Sequence, residues 1–240
     1  MDDPTQYGRD WAEDYDELHG ADPNPTVDAV SDLAGGGPVL EFGVGTGRIA
    51  LPLADRGLEV VGIDASPEML ARLRAKPGSE GIEGIEGDFV EVAVDRRFTI
   101  VLLAANTLFG LPTQEVQVVC FTNAARHLTP DGAFVLDGFV PDPGRFDRGQ
   151  RTQSMRAGGN EVLLESSLHD PVTQRVDSTI LRLGREGART YPVSVRYAWP
   201  TELDLMARLA GLRLAERWGG WRREPFTASS GMHVSIYRPA

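Results

Sequence analysis

One stretch of the chain, residues 38–64, has the pattern strand, glycine turn, helix and second strand, PVLEFGVGTGRIALPLADRGLEVVGID. Its apolar start at residues 39–42 is typical of a buried parallel strand. Gly43, Gly45 and Gly47 then fall on alternate positions. A turn after such a strand needs a positive φ and, where backbone meets a ligand, no side chain; glycine provides both. The stretch therefore predicts a βαβ unit whose first turn binds a ligand.

An acidic residue ends the second strand of this unit. Residues 58–63 form the strand, and Gly57 before them is a typical end for the preceding helix. Because parallel strands present their carboxyl ends at the same edge of a sheet, Asp64 is expected beside the glycine turn. Its carboxylate suits the two hydroxyls of a ribose. The pattern indicates a cofactor that contains a nucleoside.

Two details distinguish the turn from a dinucleotide fingerprint. The spacing is GxGxG, and Glu41 lies two residues before the first glycine. The Glu41 charge would repel a pyrophosphate but not the ammonium of S-adenosylmethionine (SAM). The stretch resembles motif I of the class I SAM-dependent methyltransferases, which implies Glu41 near the methionine end of SAM and Asp64 on its ribose. From the residues alone, NAD(P) or FAD and a turn without any ligand remain alternatives.

The resemblance implies further contacts to SAM along the chain. In that family an Asp followed by an apolar residue after the third strand binds adenine, and here Asp88 precedes Phe89. A simple turn aspartate is the alternative. After the fourth strand, Asn106 lies where the family places residues between methyl donor and acceptor. The expected cofactor contacts are Tyr7, Trp11, Glu41, Gly43, Gly45, Gly47, Asp64, Ala65, Met69, Asp88, Phe89 and Asn106.

Near the N-terminus, Tyr7, Trp11, Tyr15 and Leu18 recur at helical spacing. A helix over about residues 5–20 is expected, with three aromatic rings on one stripe. The stripe either packs on the core or forms a lid over the cofactor. The segment resembles the N-terminal lids of small-molecule methyltransferases, of the form Y-x-x-x-W/Y-x-x-x-Y-D.

Strands and helices alternate up to about residue 138, which predicts an α/β fold with a doubly wound parallel sheet. The resemblance implies a Rossmann-like sheet of about seven strands with the last strand antiparallel. Period-2 alternation over 151–199 predicts an antiparallel β insertion, about residues 144–199, over the active-site edge. No linker or repeat interrupts the chain, so we expect one methyltransferase domain over residues 1–240.

The insertion and the loop after the fourth strand are the expected acceptor side. In the period-2 pattern, residues 193, 195, 197 and 199 share one face, which must be buried against the substrate mouth or a second subunit. A homodimer through the insertion is therefore one expected use of that face. The expected substrate contacts are Leu108, Phe109, Arg196, Tyr197 and Trp199.

Two residues are candidates for a catalytic base. His233, at the start of the last strand, and Tyr15, on the N-terminal helix, can both reach the carboxyl edge of the sheet. Simple packing is the alternative for each of them. Some enzymes of the family carry a histidine just after the fourth strand; here that segment reads NTLFGL and has none.

Composition narrows the classes of partner. The chain carries 24 basic residues, only one of them lysine, against 35 acidic ones, for a net charge of −11. A nucleic-acid substrate is therefore not expected, because phosphates need a positive surface. No apolar run is long enough for a membrane span, and the polar start is unlike a signal peptide. Cys120 is the only cysteine, so we expect no disulfide, a cytoplasmic setting and, with scattered histidines, no metal site.

These observations predict an enzyme. It would transfer a methyl group from SAM to an N or O atom of a small molecule and leave S-adenosylhomocysteine. The size, the aromatic N-terminal helix and the late insertion resemble the amino-sugar N-methyltransferases of antibiotic pathways, so the acceptor is expected to be a secondary metabolite or its sugar precursor. A protein that binds SAM without methylating is the alternative.

Overall fold

The computed structural model describes residues 5–18, 20, 22–158, 161–185 and 187–240. Residue 19 of the predicted lid and residues 159, 160 and 186 of the predicted insertion lie outside the described residues. The helices are α1 (Gln6–Trp11), α2 (Tyr15–Leu18), α3 (Asn24–Ala34), α4 (Ala50–Asp55), α5 (Pro67–Arg74), α6 (Gln114–His127) and α7 (Pro200–Leu209). The strands are β1 (Val39–Phe42), β2 (Val60–Asp64), β3 (Ile82–Glu86), β4 (Phe98–Leu103), β5 (Leu128–Phe139), β6 (Gln150–Gly158), β7 (Glu161–Asp170), β8 (Arg175–Gly184), β9 (Gly187–Arg196), β10 (Leu212–Trp218) and β11 (Met232–Pro239).

The larger sheet has seven strands in the order β10-β11-β5-β4-β1-β2-β3. Strands β1 to β5 are parallel to one another, whereas β11 pairs antiparallel with β5. The predicted Rossmann-like sheet with an antiparallel last strand is confirmed. Because β1 lies between β2 and β4, the chain reverses its direction of winding at β1, and a crevice opens at the carboxyl ends there.

The sheet is covered on both faces because its central strands are apolar throughout. In β1, Leu40 and Phe42 join the buried cluster that includes residues of α6 and α7. Val39, on the opposite face, joins the cluster of α3, α4 and α5. This alternation makes a short strand such as β1 buried at every position. Among the described helices, the longest has 14 residues, and none is long and apolar enough to cross a membrane.

The insertion is a separate four-stranded antiparallel sheet in the order β6-β7-β8-β9. The predicted antiparallel insertion is confirmed, but its last predicted strand is too long. Strand β9 ends at Arg196, so Tyr197 and Trp199 lie in the connection to α7 and do not continue the strand face. Pro200 occupies the first position of α7, where its fixed φ and missing N–H are favourable. The helix therefore begins at Pro200, with Trp199 as its N-cap residue.

The N-terminal segment forms two short helices, α1 and α2, and the prediction of one helix over about residues 5–20 is wrong because a turn at residues 12–14 separates them. The segment lies between the main sheet and the insertion. A Cβ atom added to Gly8 would lie 2.2 Å from Cβ of Ser66, so α1 touches the start of α5 at its backbone. On the other side, Trp11 is buried and packs against Tyr191 of β9, with ring centroids 4.8 Å apart. Its indole also lies against the β9 backbone, with Nε1 3.4 Å from the carbonyl oxygen of Pro192.

Charged groups attach this segment to the insertion sheet. Arg182 of β8 forms ion pairs with Asp14 at 3.2 Å, Glu17 at 2.6 Å and Glu161 at 2.6 Å. Tyr191 donates a hydrogen bond of 2.6 Å to the Asp14 carboxylate, which also pairs with Arg189. The pKa of Asp14 is lowered, chiefly by the Tyr191 hydrogen bond. One network of charges holds the segment in this position, and its role as a lid over the cofactor stays a prediction.

We expect Arg182→Gln to loosen residues 6–18 without unfolding the rest. The network contributes about 1 kcal/mol to local closure, so amide hydrogen exchange in α1 and α2 should speed up about fivefold. The matched control is Arg175→Gln in the same strand, because its ion pair at 3.0 Å joins Asp177 only two residues away. Equal exchange in both variants would show that the network does not hold the segment.

Candidate active site

The glycine turn has the predicted left-handed backbone. Gly43, Gly45 and Gly47 have φ values of 69°, 54° and 81°. A Cβ atom on Gly47 would lie 2.3 Å from Leu73 Cδ1, and one on Gly43 would lie 2.9 Å from Thr107 Cγ2. Nothing lies within 4 Å of the corresponding point at Gly45. Packing thus requires glycine at two positions, and the third faces open space where a ligand can approach the backbone.

Asp64 connects this turn to the next helix. One carboxylate oxygen accepts a hydrogen bond from the Gly45 N–H at 2.8 Å, and the other accepts one from the Ser66 N–H at 2.9 Å. Burial raises the pKa of Asp64, while these two N–H groups act in the opposite direction. Each oxygen retains a lone pair, so a bidentate contact to a diol is chemically available.

Glu41 is a buried carboxyl group with one orphaned oxygen. Its side chain is buried inside the sheet edge, and Oε2 has no hydrogen-bond partner in the described structure. Burial raises the pKa of Glu41 to about 8. The positive charge of Arg48 acts to lower this pKa, and the negative charge of Asp64 acts to raise it. An isolated carboxylate at such a place is costly unless a cation or donor reaches it. The ammonium group of SAM meets that requirement, so the Glu41 carboxyl group fits this cofactor.

A third buried acid, Asp137, lies at the same edge near the end of β5. It accepts hydrogen bonds from the Asn106 N–H at 2.9 Å and from the Trp221 indole N–H at 2.8 Å. Burial raises its pKa. Ala105 and Asn106 have φ values of 61° and 60°, and the Asn106 side chain accepts a hydrogen bond from the Phe139 N–H at 2.8 Å. These contacts hold a strained turn after β4 against β5.

The N-terminal segment reaches this acidic edge. Burial raises the pKa of Tyr15, and the charges of Arg48, Glu41 and Asp64 act on its hydroxyl. The adjacent Asp16 accepts a hydrogen bond of 2.6 Å from the Thr46 hydroxyl, inside the glycine turn. Lys76, the single lysine of the chain, forms an ion pair of 2.7 Å with Asp16 and donates to the Thr46 carbonyl at 2.9 Å. Asp16 thus attaches the N-terminal segment to the glycine turn.

Other predicted cofactor residues follow the same edge. Tyr7 stacks on Trp11 at 5.4 Å and meets Tyr15 edge-on at 6.4 Å. Met69 is buried in the cluster that includes Trp11, beside the half-buried Ala65 at the start of α5. The structure therefore brings the N-terminal aromatic residues and the start of α5 together.

The predicted adenine end lies after β3. Asp88 accepts a hydrogen bond from the Val90 N–H at 2.9 Å, as a turn aspartate does. Phe89 stacks on Phe42 with centroids 5.5 Å apart. Asn123 of α6 donates to the carbonyl oxygen of Phe89 at 2.8 Å and fixes the loop. Asp88 and Phe89 lie at the carboxyl ends of β3 and β1, as predicted, and their contact with adenine stays a prediction.

On the opposite side of the crevice, Leu108 and Phe109 are buried in a short 3₁₀ turn, Thr107–Gly110. A Cβ atom on Gly138 would lie 3.0 Å from Phe109 Cζ and 3.1 Å from His233 Nε2, so both side chains converge on that glycine. The His233 ring is fully buried, and its Nδ1 lies 2.9 Å from Ser235 Oγ. Nε2 has no hydrogen-bond partner in the described residues. Burial lowers the pKa of His233 to about 4.

The remaining predicted acceptor residues are spread out. The buried guanidinium of Arg196 donates to Gln117 at 2.7 Å and pairs with Glu202 at 2.6 Å. Gln117 in turn donates to the carbonyl oxygen of Leu108 at 3.3 Å, so Arg196 supports the 3₁₀ turn from behind. The Tyr197 hydroxyl lies 3.0 Å from His169 Nε2, and the Trp199 side chain is 41% exposed. Their contact with an acceptor stays a prediction.

The site lies at the switch point of a doubly wound sheet. It combines a glycine turn, an aspartate suited to a ribose and a buried carboxyl group with an oxygen that lacks a partner. These features define an α/β enzyme that uses a nucleoside-containing cofactor. Residues 39–132 match a family model described as a methyltransferase domain. The cypemycin N-terminal methyltransferase of a Streptomyces species is 32% identical over 238 residues, 96% of each chain. The chain therefore belongs to the SAM-dependent methyltransferases, and SAM is its cofactor.

Solved structures agree with this assignment. The CcbJ methyltransferase from Streptomyces caelestis is 40% identical, covers 99% of each chain and superposes with a TM-score of 0.94. SAM-bound CalS10, an amino pentose methyltransferase from Micromonospora echinaspora, is 20% identical over 89% of each chain with a TM-score of 0.65. At that identity the second likeness establishes the fold alone.

Several residues of the site are absent from the sequence-based prediction. Asp137 could have been predicted, because it is the one charged residue in the apolar run AFVLDGF at the end of a strand. The position of Arg48 directly after the glycine turn is a weaker indication that it belongs to the site. The fastening of Asp16 to Thr46 and Lys76 joins positions 30 residues apart and has no local signature.

Loss of the Asp64 carboxylate should weaken SAM binding measurably. We expect Asp64→Ala to reduce affinity by about 1–3 kcal/mol in calorimetry, as for charge-assisted hydrogen bonds. Asp88→Ala is the matched comparison and should cost less, because neutral adenine offers it a single donor. Unchanged affinity for Asp64→Ala, with the fold intact by circular dichroism, would refute the ribose assignment.

Proposed function

We propose that this methyltransferase methylates a nitrogen atom of a small molecule, with a secondary metabolite or its sugar precursor as the acceptor class. The proposal rests on the acidic edge of the sheet, which Glu41, Asp64 and Asp137 form beneath an aromatic lid. Buried carboxyl groups favour a cationic methyl donor and an amine acceptor, which becomes cationic on methylation. The name of the N-terminal methyltransferase relative specifies an amine and supports nitrogen over oxygen.

The main catalytic contribution of the protein is alignment. SAM supplies an electrophilic methyl group on a sulfonium, and transfer to a neutral nucleophile disperses charge, so fixed charges add little to the rate. Holding donor and acceptor in line can contribute about 7–11 kcal/mol. The N-terminal lid excludes water, Leu108 and Phe109 orient the acceptor, and Asp64 with Glu41 fixes the donor.

Proton removal has two candidate groups, and neither is tuned for neutral pH. His233, with its pKa lowered to about 4, is an uncharged but weak base at pH 7. Burial raises the pKa of Tyr15, so its hydroxyl stays protonated and can only hydrogen-bond the acceptor. A neutral amine needs no base before methyl transfer, and its proton leaves to water afterwards.

We therefore expect His233→Asn to lower kcat by less than about tenfold and to leave the pH–rate profile unmoved. Proximity, not proton transfer, would then supply the rate. A loss of about 10²–10⁴ with a shifted profile would instead identify His233 as the base and contradict this mechanism. Tyr15→Phe, assayed in parallel, separates loss of the hydroxyl from loss of the ring.

The proposed function itself is tested with SAM labelled in its methyl group. Amine and alcohol acceptors of matched skeleton are incubated with the enzyme, and labelled product is counted against S-adenosylhomocysteine. Equal amounts of both, formed only with the amines, would support N-methylation. Labelled alcohols with unlabelled amines would overturn it.

A further inference from the structure

A basic groove lies at the edge of the insertion, outside the site described above. It is lined by Arg145, Asp147, Arg148, Gln150, Arg151 and Thr152. Three of these six residues are arginines, in a chain whose net charge is −11. Asp147 is the one acidic residue of the lining, so the groove is positive overall.

The arginines of this groove differ from their neighbours in the insertion. Arg156, Arg175 and Arg182 each pair with a carboxylate at 3.2 Å or less. Across the described part of the chain, no carboxylate comes within 4.0 Å of Arg145, Arg148 or Arg151, although Arg151 donates a hydrogen bond to the side-chain oxygen of Gln153. Clustered like charges repel one another unless an anion joins them. Guanidinium groups bind carboxylate and phosphate oxygens in a bidentate manner.

The backbone holds one of these arginines, Arg148, in a strained conformation. Asp147 and Gln150 exchange two hydrogen bonds of 2.9 Å, which closes a two-residue turn with φ of 49° at Arg148 and 77° at Gly149. Such turns favour Asn or Gly at the first central position, so arginine is costly there. The Gly149 carbonyl accepts a hydrogen bond of 2.8 Å from the His169 N–H, which anchors the turn to β7.

A chain of aromatic rings connects the groove to the acceptor side of the crevice. The Arg145 guanidinium lies over Phe146 at 5.0 Å and over Phe139 at 5.9 Å. Phe139 meets Phe109 edge-on with centroids 4.9 Å apart. Phe109 is the residue that converges with His233 on Gly138. A single ring, Phe139, therefore separates the Arg145 guanidinium from Phe109, a distance that a small-molecule acceptor can span.

We propose that the arginine groove binds the acid group, carboxylate or phosphate, of the methyl acceptor. The inference rests on the proposed function and narrows its substrate class to amines that carry an acid at the end remote from the methylated nitrogen. The overall charge of the chain disfavours a polynucleotide as the occupant.

A first experiment measures the groove without any methylation. Side-chain Nε–Hε resonances of arginine are recorded by NMR while inorganic phosphate, or separately acetate, is added at constant ionic strength. We expect saturable shifts at Arg145, Arg148 and Arg151 but not at Arg156, and their loss in the Arg148→Gln/Arg151→Gln double variant. The tighter of the two anions identifies the preferred acid. Equal, non-saturating shifts at all arginines would overturn the proposal.

A second experiment compares amine acceptors that carry a free acid with their methyl esters or dephosphorylated forms. We expect the acids to have a kcat/KM at least about tenfold higher, mostly through KM, as for charge-assisted hydrogen bonds. The double variant should bring this ratio close to one, while Arg156→Gln should leave it unchanged. A ratio that is insensitive to the double variant would contradict the groove's role. If no acceptor is methylated, the proposed function fails, and the NMR titration still tests whether the groove binds an anion.

Discussion

The site depends on the paired hydrogen bonds of the Asp64 carboxylate to the Gly45 and Ser66 N–H groups. They hold the turn after β1 and the start of α5 at one point of the sheet edge, where the winding of the chain reverses. The N-terminal segment contacts both of these loops, through Gly8 against Ser66 and through Asp16 against Thr46. Asp64, whose carboxylate suits a ribose, therefore also positions the two loops that the N-terminal segment contacts.

Local patterns in the sequence predicted what is local in the structure. The glycine turn and the alternating insertion strands follow from backbone preferences within a few residues, and the structure has them. The alternating pattern predicts a strand face that continues to Trp199, whereas β9 ends at Arg196 and α7 begins at Pro200. The contact of Arg196 with a substrate stays a prediction. Its burial against Gln117 of α6, which lies 79 residues away in the sequence, is encoded by no local pattern.

Charge is divided between the two sides of the molecule in a way that suits the proposed reaction. Buried carboxyl groups at the sheet edge favour the cationic donor, and their raised pKa values show what burial without a cation costs them. The arginines at the edge of the insertion have the opposite sign. An acceptor with an amine at one end and an acid at the other would be oriented by this separation before any contact is made.

The central claim is that Glu41 receives the cationic end of SAM, and calorimetry in buffers of different ionisation enthalpy tests it directly. Without the cofactor, the Glu41 pKa of about 8 keeps the carboxyl protonated at pH 7. A bound ammonium lowers that pKa, so binding should release about one proton per SAM, and Glu41→Gln should abolish the release. Heats that are the same in every buffer for the unmodified protein, or a release that persists in Glu41→Gln, would contradict the account.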